Sequence, residues 1–106
     1  MSRWVRVCSV EDIDVEDVYR FDHSGQPYAV YNAKSGFFAT HDICSHEHAH
    51  LSDGFVIGDV IECPRHQGRF HIPSGRALSP PACENIRTYE VRVEAGEIFI
   101  ALDDTP

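Results

Sequence analysis

The chain has 106 residues and a mass of 12.0 kDa, with 42% hydrophobic and 25% charged residues, the size and balance of one globular domain. Nine Lys and Arg against 17 Asp and Glu leave a formal net charge of −8, which repels phosphate backbones, excludes nucleic acid as the expected partner and suits docking on a basic patch of another protein. No run approaches the ~18 apolar residues of a membrane span, and segment 1–7 lacks the apolar core of a signal peptide, so the expectation is a protein of the reducing cytoplasm that touches no membrane.

Strand signals dominate in chain order. Segments 4–8, 18–22, 28–32 and 37–40 are short, rich in β-branched and aromatic residues, and bounded by turn residues. Ser24-Gly25-Gln26-Pro27 and Lys34-Ser35-Gly36 supply the turns. The acidic stretch 10–18 has room for one short turn of helix, and Glu11, Asp12, Asp14, Glu16 and Asp17 read as a solvated face. Further strands are expected at 60–63 and 70–72, the latter closed by Pro73-Ser74-Gly75. Segments 86–94 and 97–102 alternate about Ala95-Gly96 and predict a hairpin. The middle, about 42–84, is rich in Gly, Pro, His and Cys and poor in large aliphatics. A region that buries so little apolar surface needs another source of folding energy, and bound metal is the usual one. The expected architecture is all-β: an antiparallel β sandwich or barrel formed by about 1–41 and 85–106, with a small metal-binding lobe, about 42–84, inserted in the middle.

The chemistry concentrates in Cys44-Ser45-His46 and Cys63-Pro64-Arg65-His66, with 16 residues between the two groups. Each group offers one thiolate and one imidazole from a tight loop. A reducing compartment favours metal ligation or buried thiols over disulfides for Cys8, Cys44, Cys63 and Cys83. Zinc is a natural competitor for a set of two sulfurs and two nitrogens. The mixed order argues against it, because zinc fingers place a Cys pair first and a His pair later, usually on a helix. Cys8 and Cys83 read as packed free thiols, and His23, His41 and His71 as loop or sheet residues.

Cys-x-His followed after about sixteen residues by Cys-x-x-His resembles the signature of Rieske [2Fe–2S] proteins. The resemblance extends through Leu51-Ser52-Asp53-Gly54, Cys63-Pro64-Arg65-His66-Gln67-Gly68-Arg69-Phe70, Gly75-Arg76-Ala77-Leu78, Pro80-Pro81 and Ile86-Arg87-Thr88-Tyr89. It is strongest to the small Rieske-type ferredoxins of bacterial aromatic-ring-hydroxylating dioxygenase systems. It implies the Rieske-like fold and one [2Fe–2S] cluster per chain. Cys44 and Cys63 would hold one iron, and His46 and His66 the other, while His48 and His50 occupy no ligand position. Glu47 departs from the glycine that many relatives carry after the first ligand His. Gly54, Gly68 and Gly75 are candidates for bringing backbone N–H groups close to cluster sulfide, with turn formation the alternative reading for Gly54 and Gly75. Pro80-Pro81 resembles the rigid loop that covers the cluster.

With two thiolates the oxidised core is formally neutral, whereas four thiolates make it a dianion, so histidine ligation eases reduction. The extra disulfide of respiratory Rieske proteins would require Cys at Ala49 and Arg65, and the hydroxyl that bonds a bridging sulfide there falls at Gly68. Fewer hydrogen bonds to sulfur imply a potential near the low end of the range, about −150 mV. The potential is expected to fall with rising pH once the ligand imidazoles deprotonate. The chain has no nucleotide loop, nucleophile triad or second metal site, so the implied role is a one-electron carrier, not an enzyme. It would link an NAD(P)H-dependent flavoprotein reductase to a terminal oxygenase through transient docking at a His46/His66 tip. The alternatives are a ferredoxin serving a monooxygenase, a small Rieske-like subunit of an assimilatory nitrite reductase, and a structural zinc module.

Overall fold

The computed structural model describes residues 2–44, 49–64, 68–79 and 84–103. Among the described residues eleven strands follow in order: β1 (Ser2–Ser9), β2 (Asp17–His23), β3 (Gln26–Ala33), β4 (Gly36–His41), β5 (Phe55–Ile57), β6 (Val60–Glu62), β7 (Arg69–His71), β8 (Arg76–Ser79), β9 (Thr88–Tyr89), β10 (Val91–Glu94) and β11 (Glu97–Asp103). All pairings are antiparallel. They form three sheets, ordered β1-β11-β10, β2-β3-β4-β9 and β5-β6-β7-β8. The acidic stretch holds a single 3-10 turn, Val10–Asp12, and the Asp12 carboxylate accepts the Ser9 N–H at 3.0 Å. All five acidic residues of 11–17 are exposed. Among the described residues no helix is long and apolar enough to cross a membrane.

Strand β3 organises the interior. Its sequence QPYAVYNA is nearly continuously apolar, and residues 28–31 are buried. Because side chains alternate along a strand, Ala29, Tyr31 and Ala33 join one core and Tyr28 and Val30 the other. The first core is closed by Leu51, Ile61, Phe70, Ile72 and Ile86; the second by Val7, Cys8, Ile98, Ile100 and Leu102. The same alternation sends Val18 and Phe38 to the first and Tyr19, Phe21, Phe37 and Ala39 to the second. The sheet β2-β3-β4-β9 is thus a wall shared by two cores. A bulge between Arg6 and Cys8 lets the adjacent residues Val7 and Cys8 both face inward.

Two strands, β5 and β8, have no counterpart among those expected from the sequence. The predicted run 86–94 is divided. Thr88 and Tyr89 pair with β4, whereas 91–94 pair with β11, so the chain steps between sheets at Glu90. The Glu90 carbonyl accepts the Ala101 N–H at 3.0 Å and closes that corner. Ile86 and Arg87 lie outside the ladder, although the Arg87 carbonyl accepts the His41 N–H at 2.9 Å.

Candidate metal centre

The two cysteine loops are built alike. Strand β4 ends at His41, and the chain continues through Asp42 and Ile43 to Cys44. The Cys44 N–H donates to the Ala49 carbonyl at 2.9 Å, and Ile43 pairs with His50 outside that bond. In the second loop the Cys63 N–H donates to the Gly68 carbonyl at 2.7 Å, and Glu62 pairs with Arg69 outside it. A cysteine therefore opens each loop, and its own N–H closes the loop onto the carbonyl five residues on. The Glu62 carboxylate also accepts from Arg69 Nε at 3.0 Å, bracing the second loop at its root.

Cys44 is 4% and Cys63 1% exposed, neither forms a disulfide, and both belong to the same buried cluster with Ala49, Leu51 and Phe70. This donor set would suit an iron–sulfur group: two soft sulfur donors, shielded from water, on loops closed at their roots by backbone bonds. Among the described residues no cluster of three or more His, Cys, Asp or Glu is assembled for a metal. The expected nitrogen ligands His46 and His66 lie outside the described residues, as do Glu47, His48, Arg65, Gln67, Pro80, Pro81 and Cys83.

The loops are joined at their roots by Gly54. A Cβ there would stand 2.1 Å from the Glu62 carbonyl oxygen, one residue before Cys63. The Gly54 N–H already donates to the Leu51 carbonyl at 2.9 Å. Gly75 is similar: its N–H donates to the His71 carbonyl, and a Cβ would meet the Ile86 carbonyl oxygen at 2.2 Å. Both amides are committed to local turn bonds, so these glycines serve turns and close backbone packing. Gly68 is buried, with its carbonyl on Cys63. A cleft of about 270 Å³ opens beside Cys44, lined by His41, Ile43, Asn85, Ile86 and Arg87.

Sequence reasoning missed Asp42. It is fully buried and accepts the Ser52 N–H at 2.7 Å, the Ser52 hydroxyl at 2.9 Å and a bond with His50 Nδ1 at 2.7 Å. Its only sequence signal is its place two residues before Cys44, which does not distinguish a buried acid from a solvated one. The other described histidines are sheet residues: His71 Nδ1 bonds the Ser74 hydroxyl at 2.7 Å, His23 stacks on Phe21, and His41 Nδ1 faces the Ile43 N–H at 3.4 Å.

Comparison with known proteins agrees with this arrangement. The family described as Rieske [2Fe-2S] domain matches residues 3–90. The ferredoxin component of the naphthalene 1,2-dioxygenase system of Pseudomonas aeruginosa is 39% identical over 101 residues, covering 95% of this chain and 97% of the relative. A solved complex of reduced oxygenase and oxidised ferredoxin in carbazole 1,9a-dioxygenase contains a chain with TM-score 0.88 and 39% identity, covering 92% of each. A structure described as a putative NADH-dependent nitrite reductase small subunit from Mycobacterium tuberculosis, 19% identical at TM-score 0.85 and covering 99% of each chain, shares the fold alone. The resident group is accordingly a Rieske-type [2Fe–2S] cluster, and the chain is a carrier of electrons, not a catalyst. With paired loops that bury one thiol each, an all-antiparallel scaffold and a match over most of its length, the chain belongs to the Rieske [2Fe–2S] domain family.

Proposed function

We propose that this Rieske ferredoxin takes single electrons from an NAD(P)H-dependent flavoprotein reductase and delivers them to the terminal oxygenase of an aromatic-ring-hydroxylating dioxygenase system. Cys44 and Cys63 hold one iron, and His46 and His66 the other. The observation that carries the ligand reading is the matched pair of loops, each opened by a buried cysteine whose N–H is already engaged. When bound, the cluster supplies a one-electron couple. The protein's part is to fix two thiolates in an apolar surround, offer two imidazoles and exclude water from the sulfur side.

Delivery to an oxygenase is supported by the carbazole 1,9a-dioxygenase complex, where a similar ferredoxin is bound to its oxygenase. Docking is proposed at the His46/His66 tip, as a small and transient interface of the redox-encounter class. We further assign the scaffold to about 1–41 and 85–106 and the cluster-binding lobe to about 42–84. The sheet β5-β6-β7-β8 falls wholly inside the second range, and the strands of the other two sheets fall within the first. The setting we assign is the cytoplasm, the reducing compartment in which disulfides are rare.

The test is electron paramagnetic resonance of dithionite-reduced protein, with iron and acid-labile sulfide assayed on the same sample. The expected result is a rhombic signal with an average g below that of four-thiolate clusters, lost in Cys44→Ser, Cys63→Ser, His46→Ala and His66→Ala. Zinc in place of iron and sulfide would overturn the cluster assignment. Reduction by an NADH-fed flavoprotein reductase, followed by single-turnover oxidation by a terminal oxygenase, tests the route.

A further inference from the structure

We propose that Asp42 is the positioning residue of the first ligand loop: its buried carboxylate ties the loop's entry to its exit and so fixes where Cys44 presents its sulfur. The proposal rests on the reading of Cys44 as a ligand. Residue 42 precedes the loop closed by Ile43 and His50, and among the described residues its three side-chain hydrogen bonds go to residues 50 and 52, at and beyond that closure. The backbone adds to the tie. The Asp42 carbonyl accepts the Leu51 N–H at 2.6 Å, and its N–H donates to the Pro27 carbonyl at 3.1 Å. The loop is therefore pinned to the first residues of β3, the wall between the two cores.

A serine and a carboxylate could meet without consequence on a surface. Here the carboxylate has no exposure, and a buried charge is tolerated only when hydrogen bonds replace its water. Two donors on Ser52 and one ring nitrogen of His50 do this, with Arg20 Nε at 4.0 Å. Taking away the charge and one of the two acceptor oxygens weakens the bonds to His50 and to the 3-10 turn Leu51–Asp53 that follows the loop, and Cys44 is then held less firmly.

The experiment uses the cluster-loaded protein and measures the rate of cluster loss to an iron chelator by visible absorption. The electron paramagnetic resonance signal and the thermal unfolding midpoint are read alongside. Asp42→Asn is expected to release the cluster at least about tenfold faster and to shift the g values. Ser52→Ala, which keeps the amide bond, falls between it and wild type, and Ser52→Thr, which keeps both donors, stays near wild type. Ile98→Val is the control, because it weakens the second core, which holds neither Cys44 nor Cys63. Equal release rates in Asp42→Asn and wild type, or loss in Ile98→Val matching that in Asp42→Asn at equal midpoint, overturns the proposal. Should Asp42→Asn fail to fold, the ordering of the two Ser52 variants decides alone: equal release rates overturn it. A Cys44→Ser protein that keeps iron and the wild-type spectrum refutes the ligand reading instead.

Discussion

Asp59 holds Ser35 through both of that residue's donors, the backbone N–H at 2.9 Å and the hydroxyl. Asp59 lies in the turn between β5 and β6, and Ser35 in the turn between β3 and β4. Beside it the Lys34 N–H donates to the Gly58 carbonyl at 3.1 Å, and the Gly58 N–H donates to the Glu16 carboxylate at 2.8 Å. These bonds latch the sheet that carries the second cysteine loop to the wall strands. The Ser35 hydroxyl and then its amide hold the Asp59 carboxyl below its ordinary 3.8. A carboxylate with a lowered folded-state pKa stabilises above the unfolded value and loses that contribution as pH falls through the folded one. Wild type is therefore expected to exceed Asp59→Asn in unfolding midpoint above pH 3.8. The gap should close on further acidification. A gap unchanged down to about pH 2 would show that the latch does not depend on the charge.

Cys8 provides the alkaline counterpart. Burial pushes its thiol from 9.0 up to about 11, with Asp12 adding to the rise and Arg6 opposing it. The folded state therefore holds the proton more tightly than the unfolded chain. Its contribution is complete below pH 9.0 and is lost as pH rises towards about 11. Native protein should leave Cys8 unlabelled by iodoacetamide at about pH 8, with labelling only after unfolding. Cys8→Ser places a hydroxyl among Val7, Ile98 and Ile100 and is expected to cost about 1–3 kcal/mol in chemical denaturation.

The buried pair Tyr31 and Thr40 gives an asymmetric prediction. Their hydroxyls meet at 2.8 Å, and Thr40 Oγ1 also donates to the His41 carbonyl at 3.0 Å. The Thr40 proton is thereby committed, so the Tyr31 O–H is the donor between them. Tyr31→Phe removes a donor and leaves Thr40 its carbonyl partner, at a cost of about 1 kcal/mol. Thr40→Val strands a phenol that is fully buried and should cost more, about 1–3 kcal/mol. The double variant should be less destabilised than the sum of the two, as residues in contact require. Equal single-variant costs would reverse the donor assignment.

What was legible from sequence follows from what a one-dimensional pattern can carry. The strands of the scaffold announce themselves, because β2, β3 and β4 alternate or bury continuously over six to eight residues. β5 and β8 do not: each has three or four residues, and Phe55, Ile57 and Leu78 point apolar surface outward, so no alternation betrays the buried side. The division at Glu90 was equally hidden, since Tyr89 and Val91 keep the period of one strand while belonging to two sheets. At the candidate site, Cys44 and Cys63 were visible through residue type and spacing. Asp42 was not, because one acid among 17 carries no mark of its burial. Gly54 and Gly75 stand out in the sequence for the wrong reason: spacing shows that a side chain is absent, not which backbone takes the space.

Those two glycines support a steric prediction that links the loops. At Gly54 the backbone is extended, φ −91°, so any residue could adopt it, and it is chiefly the Glu62 carbonyl oxygen, 2.1 Å from where a methyl group would sit, that forbids one, with the Leu51 carbonyl oxygen next at 3.1 Å. Gly54→Ala must push β6 away and is expected to cost about 1–3 kcal/mol. Because Glu62 precedes Cys63, the same displacement should speed cluster loss to a chelator. Gly75→Ala adds a left-handed backbone, φ +73°, to its own clash with Ile86 and should be the more damaging of the two. Gly58 separates conformation from contact, since it has φ +62° with no atom within 4 Å. Gly58→Asn, a residue that tolerates the left-handed region, should stay within about 0.5 kcal/mol of wild type. Denaturation midpoints that put Gly54→Ala beside Gly58→Asn would show that β6 yields freely and that the packing of Gly54 on Glu62 does not set the second loop.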